Sequence, residues 1–181
     1  MRKYSINDLK SQFKVMGYEW PKFHIVGIRS KANAKNQFDD LIAVIDGNRI
    51  TWYSCTTNPG TFWLKRLANP KGTAVLKPGQ YIDAYKIGLH QSTYTALVQN
   101  KPVTVFRDRD RDDIAEEQGI TESGFFGINI HRAGTSFIAR LIDRWSAGCQ
   151  VINNPADFND LMSKCKASKR STFTYTLLRE F

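Results

Sequence analysis

The chain reads as mainly β, a β-rich sandwich or barrel, and three observations predict it. Short apolar runs with strand-type alternation recur at regular spacing along the 181 residues. Turn signals separate them, Asp46-Gly47-Asn48-Arg49 and Pro59-Gly60 among them. Clear helical periodicity is confined to one stretch near each end, with helix caps beside it.

The first element is a helix over residues 5–16. It places Ile6, Leu9, Phe13 and Met16 on one face, with Ser5 and Asp8 as a capping box and Gly17 as the stop. This helix forms an N-terminal extension, residues 1–22, of a single domain spanning 1–181. Strands follow over 24–29 and 40–45, and the Asp46-Gly47 hairpin leads into a strand over 50–56. Residues 57–67 are expected to turn through Pro59-Gly60 into another strand, with further strands near 80–88, 94–98 and 102–107. Residues 125–131 form the strand that delivers His131, and residues 136–145 bridge onward as a helix or a loop. Asn154 caps a second helix with Pro155 at its first position, running to about Lys164 and burying Phe158, Leu161 and Met162. The alternation of Phe173, Tyr175 and Leu177 makes the final strand.

The length suffices for one sizeable core. Three cysteines cannot all pair, so a disulfide framework is excluded and a free thiol is expected. Cys55 lies in a strand-like run and Cys165 in a helix-like run, and both read as packing residues. The formal charge of +9 favours an anionic partner. Behind the basic N-terminal residues there is no apolar segment of the Sec-signal kind, and no stretch approaches the length of a membrane span. The chain is therefore expected either to be made in the cytosol and act at the cell wall, delivered as a phage lysin or within a virion, or to be a mature periplasmic or extracellular form.

The chemistry concentrates in His131 and Cys149. His131 ends an apolar run of strand type, and fourteen residues separate it from Ser146-Ala147-Gly148-Cys149. A free thiol is mostly protonated at neutral pH, so a cysteine nucleophile needs a base, and histidine is the usual one. Gly148 permits a tight turn that aims backbone N–H groups at one point, where an oxyanion would form. Asn129 shares a strand face with His131 and is a candidate to orient the imidazole or bind substrate. Arg132 is a candidate to grip a substrate carboxylate, and Trp145 to wall a substrate groove.

Over residues 45–152 the chain resembles the L,D-transpeptidase (YkuD-type) catalytic domain, which carries a histidine followed at a similar distance by Ser/Thr-His-Gly-Cys. His131, Ser146, Gly148 and Cys149 match that pattern. Ala147 stands where the family has a second histidine, Arg132 where a glycine often follows the first, and Val151 where the family often has Arg or Asn. The resemblance implies that His131 is the base and Cys149 the nucleophile, and that a backbone carbonyl orients the imidazole. It implies peptidoglycan stem peptides as substrate and no metal or other cofactor.

The expected activity is acyl transfer through a thioester, ending mainly in hydrolysis, by a monomer acting on the anionic cell wall. Cross-linking of stem peptides is the alternative within the same chemistry, and a non-catalytic wall-binding or acidic-polymer-binding module is the alternative outside it. The basic residues are scattered and match no nucleic-acid-binding signature, so specific nucleic-acid binding is not expected. Asp108, Asp110 and Asp112 share the spacing of a calcium loop but lack its glycine and terminal glutamate, and read as a solvated, self-paired turn. His24 and His90 read as structural.

Overall fold

A computed structural model describes residues 2–181. The fold is mainly β, with a helix near each end of the chain. Helix α1 (Ile6–Met16) is followed by strands β1 (Phe23–Arg29), β2 (Asp40–Asp46) and β3 (Arg49–Thr56), then a short helix α2 (Thr61–Lys65). Strands β4 (Thr73–Leu76), β5 (Gly79–His90), β6 (Tyr94–Gln99), β7 (Val103–Asp108) and β8 (Thr121–Gly124) come next. The chain then forms β9 (Ile130–Arg132), β10 (Gln150–Ile152), helix α3 (Pro155–Ala167) and β11 (Phe173–Arg179).

Eight strands close a barrel in the order β1-β11-β5-β6-β9-β10-β3-β2, and β4-β7-β8 form a separate small sheet. The barrel pairs are antiparallel except β1 with β11 and β9 with β10. Ile25, Val44, Tyr53, Tyr85, Leu97, Ile130, Ile152 and Tyr175 belong to one core cluster. Phe158, Leu161, Met162 and Cys165 of α3, with Leu76 and Val105 of the small sheet, belong to it too.

A second cluster lies on the opposite strand face. Leu9 and Phe13 of α1 pack there on Val26, Ile28, Ala43, Ile45 and Leu178. Because α1 covers that face, β1 is buried along its whole length and does not alternate. The helix itself has the local features its sequence calls for. Ser5 and Asp8 form the reciprocal capping box, and Gly17 ends it at φ 68°.

Two local expectations are corrected, and one left open between helix and loop is decided. Residues 57–67 do not continue as a strand. After Pro59, the amides of Trp63 and Leu64 both donate to the Gly60 carbonyl, which turns the chain into α2. The strand delivering His131 is three residues long rather than seven. Upstream of it, the Phe126 and Ile128 amides donate to the Gln99 side chain, at 3.0 and 3.2 Å, instead of to a neighbouring strand. Gly127, at φ 71°, bends the backbone between them. Residues 136–145 form a loop, with Phe137, Ile138 and Leu141 exposed, so no apolar face is buried to hold a helix.

The Arg107–Asp113 turn is also less self-contained than its alternating charges imply. Arg107 pairs with Glu122, and Asp113 with Lys35 and Lys65. Asp108 is buried and accepts from the Glu116 amide at 2.9 Å. No group of three or more His, Cys, Asp or Glu placed to hold a metal exists among the described residues. No helix among them is long and apolar enough to cross a membrane.

Candidate active site

The parallel pairing of β9 with β10 brings the two halves of the motif together. His131 sits opposite Val151, and Gln150 opposite Ile130. Cys149, just before β10, therefore lies beside Asn129, just before β9, and the Asn129 amide donates to Cys149 Sγ at 3.4 Å. Strand alternation then puts Asn129, His131, Cys149 and Val151 on one face of the pair. Ile130 and Ile152 face the core cluster on the other.

The turn before Cys149 is fixed from several directions. Ser146 is fully buried; its hydroxyl donates to the Cys149 carbonyl at 2.8 Å and accepts from the Gly148 amide at 3.1 Å. Gly148 adopts φ 125°, and a Cβ there would collide with the Ala74 carbonyl and crowd Ile128. Glycine is thus required by both conformation and space. The Gly60 amide donates to the Ser146 carbonyl at 2.9 Å, tying the Thr57-Asn58-Pro59-Gly60 turn to the cysteine loop. That turn is itself anchored in the interior. Buried Asp40 accepts from the Thr57 amide and hydroxyl at 2.6 and 2.7 Å, and Arg29 donates to the Thr57 carbonyl at 2.5 Å.

His131 is buried, and its Nδ1 donates to the Arg132 carbonyl at 2.8 Å. Tyr94 Oη donates to the same carbonyl at 3.2 Å. This contact leaves Nε2 of a neutral His131 with its lone pair, the form a general base requires. Burial, helped by the adjacent His90, pushes the His131 imidazolium down to about 3. Burial pushes the Cys149 thiol up to about 11, against the Asn129 amide, which favours the thiolate. The resting pair is therefore neutral thiol with neutral imidazole, not a preformed ion pair. In this state the thiol donates to the Gly127 carbonyl at 3.3 Å and no hydrogen bond joins it to His131. Attack by this sulfur would accordingly require general-base removal of its proton.

A cavity of about 740 Å³ opens in front of His131. His90, Tyr94, Arg132, Phe137, Arg144 and Trp145 are among its walls, and no carboxylate is. The Arg132 guanidinium lies 4.0 Å from the Tyr94 ring centroid and donates to the Gly134 carbonyl at 3.2 Å. Trp145 is partly exposed at the cavity wall, near Phe137. Ala147 faces elsewhere. It lines a smaller cleft of about 320 Å³ with Trp63, Thr73, Ala74, Phe125 and Phe126.

Two sequence-based roles shift. Asn129 makes no hydrogen bond to the His131 ring; its amide NH2 donates to His90 Nδ1 at 3.0 Å. The Gly148 amide, expected in the oxyanion site, is already committed to Ser146 Oγ. The sequence reading took His90 as structural and did not single out Tyr94. The His90 ring stacks on His131 with centroids 4.0 Å apart and planes 19° apart. His24, by contrast, sits among Phe13 and Trp20 on the far cluster, with Nδ1 bonded to the Pro21 carbonyl. Cys55 and Cys165 are buried in the core cluster.

Comparison with protein-family models, with curated proteins and with solved structures yields no significant match to the chain.

Proposed function

We propose that the protein is a cysteine acyl-transfer enzyme of the L,D-transpeptidase type that cleaves peptidoglycan stem peptides. The observation that carries this reading is the placement of Cys149 and His131 on one face of two paired strands. His131 is held by the Arg132 carbonyl with Nε2 unprotonated, on a cavity large enough for a peptide.

In the proposed reaction His131 Nε2 takes the Cys149 proton as Sγ attacks an amide carbonyl. The Cys149 amide, with that of Ala147, stabilises the oxyanion, since Gly148 is engaged with Ser146. The C–N bond breaks and the amine leaves with the proton from His131. Water then gives its proton to His131 and attacks the thioester, releasing a carboxylate and the thiol. Hydrolysis is favoured over transfer because the Ala147 cleft presents Arg107 and no acidic side chain on which an incoming amine would be aligned. The +9 charge suits an anionic wall.

Mass spectrometry of tetrapeptide muropeptides incubated with the protein and a D-amino acid tests this. The expected products are shortened stem peptides that disappear with Cys149→Ser. Dominant acceptor-exchanged or dimeric muropeptides would replace hydrolysis by transpeptidation. Unchanged substrate would remove the enzymatic reading, and tight binding of that unchanged substrate would establish a wall-binding module.

A further inference from the structure

The cavity holds a second imidazole whose protonation pattern is fixed by geometry. Asn129 Oδ1 accepts from the Gln99 backbone amide at 2.9 Å, which settles which end of the Asn129 amide is which. Its NH2 group is therefore the end that meets His90 Nδ1 at 3.0 Å. Two donors cannot face each other there, so Nδ1 of His90 accepts and the ring proton resides on Nε2. Asn129 immediately precedes β9 and Gln99 ends β6, so the lock is tied to two barrel strands.

Among the described residues no hydrogen-bond partner is found for His90 Nε2, and the largely buried His90 lines the 740 Å³ cavity. The charged and titratable groups around it are His131 stacked on its face, Tyr94 at a ring-centroid distance of 5.5 Å, and Arg132. None is an acid, and both burial and Arg132 disfavour a charge on His90. The ring is thus a neutral donor directed at a cavity that also contains Arg132 and Arg144.

We propose that His90 is a substrate-orienting donor. Its Nε2–H, held in that tautomer by Asn129, binds a carboxylate oxygen of the acyl donor beside the base, with Arg132 supplying the opposite charge. The inference rests on the acyl-transfer reading of this cavity. It adds a requirement that the donor carry a free carboxylate close to the scissile amide.

The first test needs no turnover. Long-range proton–nitrogen NMR of the full chain, labelled in its three histidines, reads each tautomer directly. Protonated Nε2 is expected for His90 and protonated Nδ1 for His131 and His24. Nδ1 protonation of His90 in the native protein would overturn the lock.

The second test is kinetic. His90→Phe keeps a ring on His131 and removes the donor. With the fold preserved by circular dichroism, this variant is expected to raise KM about tenfold or more for a stem peptide with a free carboxylate. For the same peptide with that carboxylate amidated, the increase in KM should be at least about fivefold smaller. Equal losses on both substrates would overturn the carboxylate assignment. If no peptide is turned over, the activity reading fails. The carboxylate assignment then stands or falls on binding of the two peptides, measured by calorimetry in native protein and His90→Phe.

Discussion

At the scale of single residues, the candidate site differs from a resting ion pair in a way that alkylation can read. Cys149 is the one partly exposed cysteine, while Cys55 and Cys165 are buried. Iodoacetamide is therefore expected to label Cys149 first. The thiol is pushed up to about 11 by burial, so little thiolate exists at pH 7. Labelling should be slower than that of an exposed thiol at neutral pH and should climb roughly tenfold per pH unit to above pH 9. A rate that levels off near pH 7, followed by peptide mapping, would instead reveal a preformed thiolate. Much of this site was legible from sequence. Cys149, His131, Ser146 and Gly148 belong to a local pattern whose chemistry is carried by residue type and spacing. His90 was not, because nothing local marks it. It reaches His131 only through the β5-β6-β9 order of the barrel, which joins residues 41 positions apart through non-local pairing.

At the scale of elements, long, regular segments were readable and short ones were not. Helix α1 had its capping box, amphipathic face and terminal glycine written within thirteen consecutive residues, 5–17. Strands β4, β8 and β10 escaped notice, being three or four residues long and held by partners rather than by periodicity. Yet the turn that leads into β10 carries the proposed nucleophile, Cys149. That turn depends on Gly148, where any side chain would meet the Ala74 carbonyl of β4 and strain the backbone at φ 125°. Gly148→Ala is expected to cost about 1–3 kcal/mol of stability in urea titrations. It should also remove nearly all turnover, because Cys149 and the Ser146 contacts move with the turn. A variant that keeps native activity would show that the turn does not set the geometry. The Gly60 contact gives the same loop a second support, linking it to buried Asp40 and Arg29 through Thr57.

At the scale of the whole molecule, the barrel buries charged and titratable groups whose effects on stability oppose one another. Arg29 and Arg179 are register partners across the parallel β1-β11 pair, and Glu117 bonds both guanidinium groups, 2.6 Å from Arg29 Nη1 and from Arg179 Nε. The shared carboxylate offsets the repulsion between like charges on adjacent strands, and Arg29 also donates to Leu76 and Thr57. The buried histidines and carboxyls act differently, through pH. His24 is fully buried, and desolvation takes it down to about 4 from an ordinary value of 6.5. The unfolded chain binds its proton below about 6.5 and the folded chain does not until about 4, so this residue destabilises the fold as pH falls through that window. His131 acts with the same sign, down to about 3. Asp40, pushed up to about 6 by burial, binds a proton in the folded state first, so its contribution becomes more favourable as pH falls from about 6 to 3.8. The terms offset between about pH 4 and 6, and the individual histidine is visible only against that background. His24→Phe isolates it, keeping an aromatic ring beside Phe13 and Trp20 while removing the site of protonation. The stability of the variant relative to the native chain is expected to rise by about 2 kcal/mol between pH 7 and pH 5 in matched urea titrations. The sign is fixed by linkage, whatever the cost of losing the Pro21 contact, because that cost is the same at both pH values. An unchanged difference between the two proteins at pH 7 and pH 5 would mean that His24 is protonated in the fold as readily as in the unfolded chain.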